Sequence, residues 1–166
     1  MMGKIDIFDG FYTLCRWALG SIFIYAGSTK LLAPEIFALL IQAYGLVPES
    51  WLMPLAIGFP VLEILGGMGL IFDIQGSVWI IAGLLGVFVA VVGYGIWMGL
   101  DVDCGCFGPE DPESKAFHGL RLTLFRDLVM MAGLGFIYGW RRYRAMESVT
   151  LMKVVDKFFI IKKENI

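Results

Sequence analysis

Residues 77–99 read SVWIIAGLLGVFVAVVGYGIWMG, and residues 100–109 read LDVDCGCFGP. The first stretch is 23 residues without one charged side chain. A helix needs about 20 apolar residues to cross a bilayer, so this run predicts a membrane span. The second stretch puts Cys104 and Cys106 one residue apart, in the strongly polar gap between two long apolar runs. Two thiols at that spacing can close a small-ring disulfide, because Gly105 accepts the tight backbone angles such a ring needs. Gly108-Pro109 then turns the chain away. A ring this small departs from relaxed disulfide geometry, which favours exchange over permanence. The plain alternative is two unrelated cysteines in a loop.

Composition extends the membrane reading to the whole chain. Of 166 residues, 58% are hydrophobic and 17% charged, against roughly 25% charged in soluble domains. Mean hydropathy is +0.78. There is no basic stripe with interleaved aromatics, so nucleic-acid binding has no support. The first apolar run carries Arg16 and has no small-residue cleavage site after it, so it is read as a span and not as a signal peptide. Three cysteines do not make a disulfide framework.

Outward from the quoted stretch, the expected fold is an all-α membrane protein, a bundle of four transmembrane helices over about 11–32, 51–72, 77–99 and 121–140. Residues 1–10 are a short polar lead. Residues 33–50 open with Pro34 and place Ile36, Phe37, Leu39, Leu40, Ile41 and Tyr44 on an apolar face, predicting an interfacial helix between spans one and two. Asp73-Ile74-Gln75-Gly76 is a tight turn. The cysteine loop joins spans three and four. Residues 1–145 form the membrane domain. Residues 146–166, with Leu151, Val154, Val155, Phe158 and Ile161 at helical spacing, form an amphipathic tail. Small-residue stripes (Gly83, Gly86, Ala90 and Gly93 in span three; Ala132, Gly135 and Gly139 in span four) predict close helix packing.

Orientation follows from lysine and arginine placement. The side of the termini carries Lys4, Arg141, Arg142, Arg144, Lys153, Lys157, Lys162 and Lys163. The other side carries Lys30, Lys115 and Arg121 among seven acidic residues. The termini are therefore expected in the cytoplasm and the cysteine loop on the outside or in the periplasm, where disulfides persist.

Charges inside the spans need partners. Glu63 lies about 12 residues into span two, roughly 18 Å deep, and Arg16 about five residues from the opposite end of span one, within about 5 Å of the same depth. An Arg16–Glu63 pair is expected, with a structural or a proton-relay role. Lys30 and Arg126-Asp127 lie near the cysteine loop and suit either a thiolate, a bound acceptor or interface anchoring. Cys106 is followed by Lys115, His118, Arg121 and the start of span four, all of which favour a negative sulfur. Cys104 sits by Asp101 and Asp103, so Cys106 is the expected attacker and Cys104 the partner thiol. His118 is the sole histidine, a base or a solvated loop residue. Cys104, Cys106 and His118 are three soft-metal ligands, where a closed zinc site takes four. Cys15 is read as a small buried hydrophobe.

These residues resemble the DoxX/MauE family of small four-span bacterial membrane proteins. Span one carries Arg16, Gly20, Phe23, Gly27 and Lys30 in the family's order, and span two has Glu63 before Gly66-Gly67. Cys104-Gly105-Cys106-Phe107-Gly108, with Arg126 early in the next span, resembles the MauE branch. The likeness covers roughly residues 11–140; the tail after Ala145, and Cys15, are not parts of the family's pattern. It implies a redox-associated inner-membrane protein acting with a periplasmic thioredoxin-like partner in the MauE branch, and quinone-linked chemistry in DoxX relatives. The expected function is thus a membrane thiol–disulfide oxidoreductase that exchanges disulfides with a periplasmic thioredoxin-fold protein. If it couples to the membrane pool, quinone is the candidate cofactor, with Tyr25, Tyr94, Trp97 and Phe107 as candidate pocket residues. The alternatives are a non-catalytic membrane subunit or assembly factor, and a soft-metal carrier.

Overall fold

The computed structural model describes residues 2–74, 76–99 and 120–144, with side chains from Phe8 onward. These residues are almost wholly helical: α1 (Met2–Leu32), α2 (Pro34–Ala43), α3 (Glu49–Ile71), α4 (Ser77–Met98) and α5 (Leu120–Tyr143). The expected lead at residues 1–10 is instead helical from Met2. At 1.5 Å per residue, α1 is about 46 Å long, more than the hydrocarbon thickness of a bilayer. Residues 100–119, which hold Cys104, Cys106, Lys115 and His118, lie outside the described residues, as does the tail expected over 146–166.

The distribution of side chains is inverted relative to a water-soluble domain. Lys30, Glu63 and Asp127 are 3%, 1% and 2% exposed, while Trp97 is 82% exposed and Trp79 67%. Only 28% of the most apolar window of α4 is buried within the chain. So much outward apolar surface is tolerated in lipid and not in water. Helices α3 and α4 are each long and apolar enough to cross a bilayer, and α1 with α2 adds a third if that bent pair is one span.

Two glycines on α1 set the register of the bundle. A Cβ on Gly20 would fall 2.8 Å from the Gly67 carbonyl oxygen of α3, and one on Gly27 would fall 2.7 Å from that of Pro60. Seven residues along α1 thus match seven residues back along α3, so the two helices run antiparallel at near backbone contact. Hydrogen is the only side chain that fits at either position. Pro60 is tolerated inside α3, as proline is in membrane helices whose neighbours cover the freed backbone.

The small-residue stripes expected to mediate packing behave differently. Within the described residues nothing approaches within 4 Å of a Cβ placed on Gly83, Gly86, Gly93, Gly135 or Gly139. Gly95 is the glycine of α4 that meets a neighbour, the Tyr44 ring. A small-residue spacing permits close approach but does not choose the partner, and here α1 and α3 hold the matching groove.

The α3–α4 turn is held by its backbone. Asp73 takes the left-handed region at φ +58° and Gly76 at φ +97°, and the Ile74 N–H donates to the Gly69 carbonyl at 2.8 Å. Helix α2 leaves α1 at 96° and buries Phe37 and Tyr44. The core at the centre comprises Tyr12, Leu19, Phe23, Leu70, Ile81, Leu85, Leu134 and Ile137.

Candidate functional site: a buried charge quartet

Two charged clusters occupy opposite ends of this frame. One lies where α1 begins, α3 turns into α4, and α5 ends. Asp73 gathers Arg16 at 2.8 Å and Arg141 at 3.6 Å, and the Tyr12 hydroxyl donates to it at 3.2 Å. Asp9 pairs with Arg144 and accepts a hydrogen bond from the Trp140 indole at 3.0 Å. Phe8 stacks on Trp140 and Phe11 meets Phe136 edge-on, which fastens α1 to α5 at this end.

The other cluster lies toward the end where α1 stops and α5 starts. Lys30 Nζ donates to Glu63 Oε1 at 2.6 Å, with both side chains almost fully buried, 2% and 1% exposed. The ammonium also lies 4.6 Å from the Phe88 ring centroid and 5.3 Å from that of Phe37. Ring faces attract a cation and replace part of its lost hydration. On α5, Arg126 pairs with Asp127 at 3.4 Å; the Asp127 side chain is 3% exposed and that of Arg126 26%. All four side chains line one cavity, together with Ile22, Phe23, Ala26, Leu85, Phe88 and Met130. Its volume is about 20 Å³, room for roughly one water. Among the described residues, Glu63 Oε2 and Asp127 Oδ2 accept no hydrogen bond.

This geometry corrects the expected Arg16–Glu63 pair. Depth counted from assumed span ends puts the two at one level. The glycine contacts instead bring Lys30 to Glu63 and carry Arg16 to the far end, beside Asp73. Arg16 thus belongs to the turn cluster and not to the site. Lys30, Glu63 and Arg126 do come together. Arg121 lies exposed in the first turn of α5. Cys104, Cys106 and His118 lie outside the described residues. Asp73 emerges as a partner that the sequence reading did not single out; the matched seven-residue spacings of Gly20/Gly27 and Pro60/Gly67 are the sequence signal for the α1–α3 register that sends Lys30 to Glu63 and Arg16 to Asp73.

Of the candidate quinone-pocket residues, Phe107 lies outside the described residues, and Tyr25, Tyr94 and Trp97 do not line the quartet's cavity. Tyr94 and Trp97 pack on each other at 6.1 Å on α4, with Trp97 turned outward. Among the described residues no group of three or more His, Cys, Asp or Glu could hold a metal ion.

Residues 9–140 match a family model described as methylamine utilisation protein MauE. No curated protein and no solved structure matches the chain.

Proposed function

Because the chain belongs to the MauE family, we propose that it is a thiol–disulfide exchange protein of a methylamine-utilisation or related redox system. The observation that carries the reading is the Cys104-Gly105-Cys106 stretch, which falls inside the matched region and between two apolar helices. In this proposal four spans cross the bacterial inner membrane, the termini are cytoplasmic, and residues 100–119 face the periplasm. The lysine and arginine asymmetry supports that orientation. So does the arrangement of helix ends: Asp9, Asp73 and Arg144 share one end of the bundle, while Gly99 and Leu120, which flank the cysteine stretch, lie at the other.

The chemistry needs only sulfur. The Cys106 thiolate attacks one sulfur of a disulfide in a thioredoxin-fold partner, forming a mixed disulfide and releasing the partner's other sulfur as a thiolate. The Cys104 thiolate then attacks the Cys106 sulfur, closing the intramolecular disulfide and releasing the partner fully reduced. Two electrons pass to the partner, and the two protons of the original thiols go to solvent or to the partner's thiolates. The reverse sequence oxidises the partner.

Thiol trapping tests this in membranes carrying the full chain with Cys15→Ser. Free thiols are alkylated before and after addition of a reduced or oxidised thioredoxin-fold protein, or of an oxidised quinone. Exchange predicts that Cys104 and Cys106 change state together, and that Cys104→Ser traps a mixed disulfide through Cys106. Cysteines that stay locked or stay free throughout would mark a non-catalytic subunit. Protection of both thiols by a soft metal alone would mark a carrier.

A further inference from the structure

The quartet leaves two buried carboxylate oxygens unspent, and each buried unmet acceptor costs about 1–3 kcal/mol. Here Glu63 spends one oxygen on Lys30 and Asp127 one on Arg126. Their second oxygens, Oε2 and Oδ2, are buried and accept nothing among the described residues. Both residues line a cavity with room for roughly one water. Two half-used carboxylates beside a water-sized space form a path for a proton.

The remaining charges make such a proton movable. Lys30 from α1, Glu63 from α3, and Arg126 and Asp127 from α5 are the charged groups that line the cavity. Helix α4 contributes only Leu85 and Phe88 there, and α2 brings Phe37 to Lys30. Among the described residues two cations face two anions, so that set, fully charged, sums to zero. A proton passing from Lys30 Nζ to Glu63 Oε1 across 2.6 Å leaves that sum unchanged and removes two charges from an apolar interior. A low-dielectric setting penalises ions, so neutralisation by proton transfer competes with pairing.

We infer that Lys30, Glu63, Arg126 and Asp127 form an intramembrane proton-exchange site whose ligands are a water molecule and the proton it carries. A proton arrives on the cavity water, moves to Glu63 Oε2 or Asp127 Oδ2, and leaves by the same water. No bond other than O–H or N–H forms or breaks, and no electron moves. The site stands apart from the thiol chemistry, so either reading can fail alone.

Infrared difference spectroscopy on the full chain in lipid nanodiscs tests it without any thiol reagent. Spectra are taken on acidification, in H₂O and in D₂O. The site predicts a carboxylic-acid C=O band at the high-wavenumber end, where weakly hydrogen-bonded acids absorb, that titrates and shifts down in D₂O. Carbon-13 labelling of aspartate alone should move part of that band, and labelling of glutamate alone the rest, with no substitution made. Glu63→Gln and Asp127→Asn should each remove the matching part. A wild-type spectrum without a titrating high-wavenumber band overturns the proposal and leaves a permanently charged lattice. So does a band unchanged in both variants.

Discussion

The turn cluster around Asp73 and the quartet around Glu63 carry similar charges in opposite ways. Asp73 has three partners from two helices, and its side chain is 19% exposed. Among the described residues Glu63 has one hydrogen-bond partner, and its side chain is 1% exposed. At the turn, water and spare partners share the work, so no single contact is critical. In the quartet Glu63 leans on Lys30 and Asp127 on Arg126 among the described residues, and the space left over has room for about one water. The first arrangement fastens α1, α5 and the α3–α4 turn; the second is poised for chemistry. The contrast predicts how each region responds to substitution.

The largest effect is expected from breaking the Lys30–Glu63 pair on one side. Lys30→Ala or Glu63→Ala leaves a charge uncompensated in an apolar interior, at a cost of about 3–5 kcal/mol. Thermal unfolding in mild detergent should show it as a large loss of Tm or of folded yield. Replacing both residues, Lys30→Met with Glu63→Leu, keeps the quartet's sum at zero and removes the desolvation cost. That double variant should recover most of the lost stability, since apolar replacements of buried pairs are often neutral or stabilising. A double variant as damaged as the singles would mean that the pair is held by more than its mutual charge.

Next in size is Gly27→Ala. Its new methyl would fall 2.7 Å from the Pro60 carbonyl oxygen and 3.1 Å from Glu63 Cβ. Backbone cannot yield as a flexible side chain does, so α1 and α3 must separate, costing about 1–3 kcal/mol. Because Glu63 lies at that contact, the infrared band of the quartet should shift as well. Gly83→Ala on α4, with nothing within 4 Å among the described residues, is the control and should leave both stability and band unchanged.

How much of this was legible beforehand divides along physical lines. Long apolar runs announce helices, because only helices satisfy the backbone inside lipid. The ends of α3 and α4 accordingly fall within a few residues of the expected 51–72 and 77–99, and α5, though it carries Arg121, Arg126 and Asp127, also falls close to 121–140 as a helix. The start of α1 was missed because a short polar lead carries no sign that it continues a helix. Pairing was less legible, since it depends on register and register depends on close contact. Arg16 and Glu63 seemed level only while each helix was counted from its own end. Gly20 against Gly67 and Gly27 against Pro60 override that count. The glycines of α4 and α5 misled for a related reason: spacing shows where a backbone can come near, and the facing helix decides whether it does. The cysteine pair was plain as sequence, and its chemistry is argued from residue type and family.

The smallest effects belong to the turn end, and their order sharpens the contrast. Asp73→Asn keeps a residue that tolerates the left-handed φ of +58° but removes the charge facing Arg16 and Arg141. The expected cost is about 1 kcal/mol, reduced by the water that already reaches this cluster. Asp9→Asn should cost less still. Its amide oxygen can still accept from the Trp140 indole, so only the exposed ion pair with Arg144 is lost. That loss should fade on adding salt, which screens exposed charges over about 10 Å at 0.1 M. The quartet, shielded from solvent ions, should show no such dependence. Unfolding at low and high salt for Asp9→Asn, Asp73→Asn and Glu63→Ala therefore separates the regions. If the Glu63 penalty also fades with salt, ions reach the quartet and its isolation from solvent is wrong.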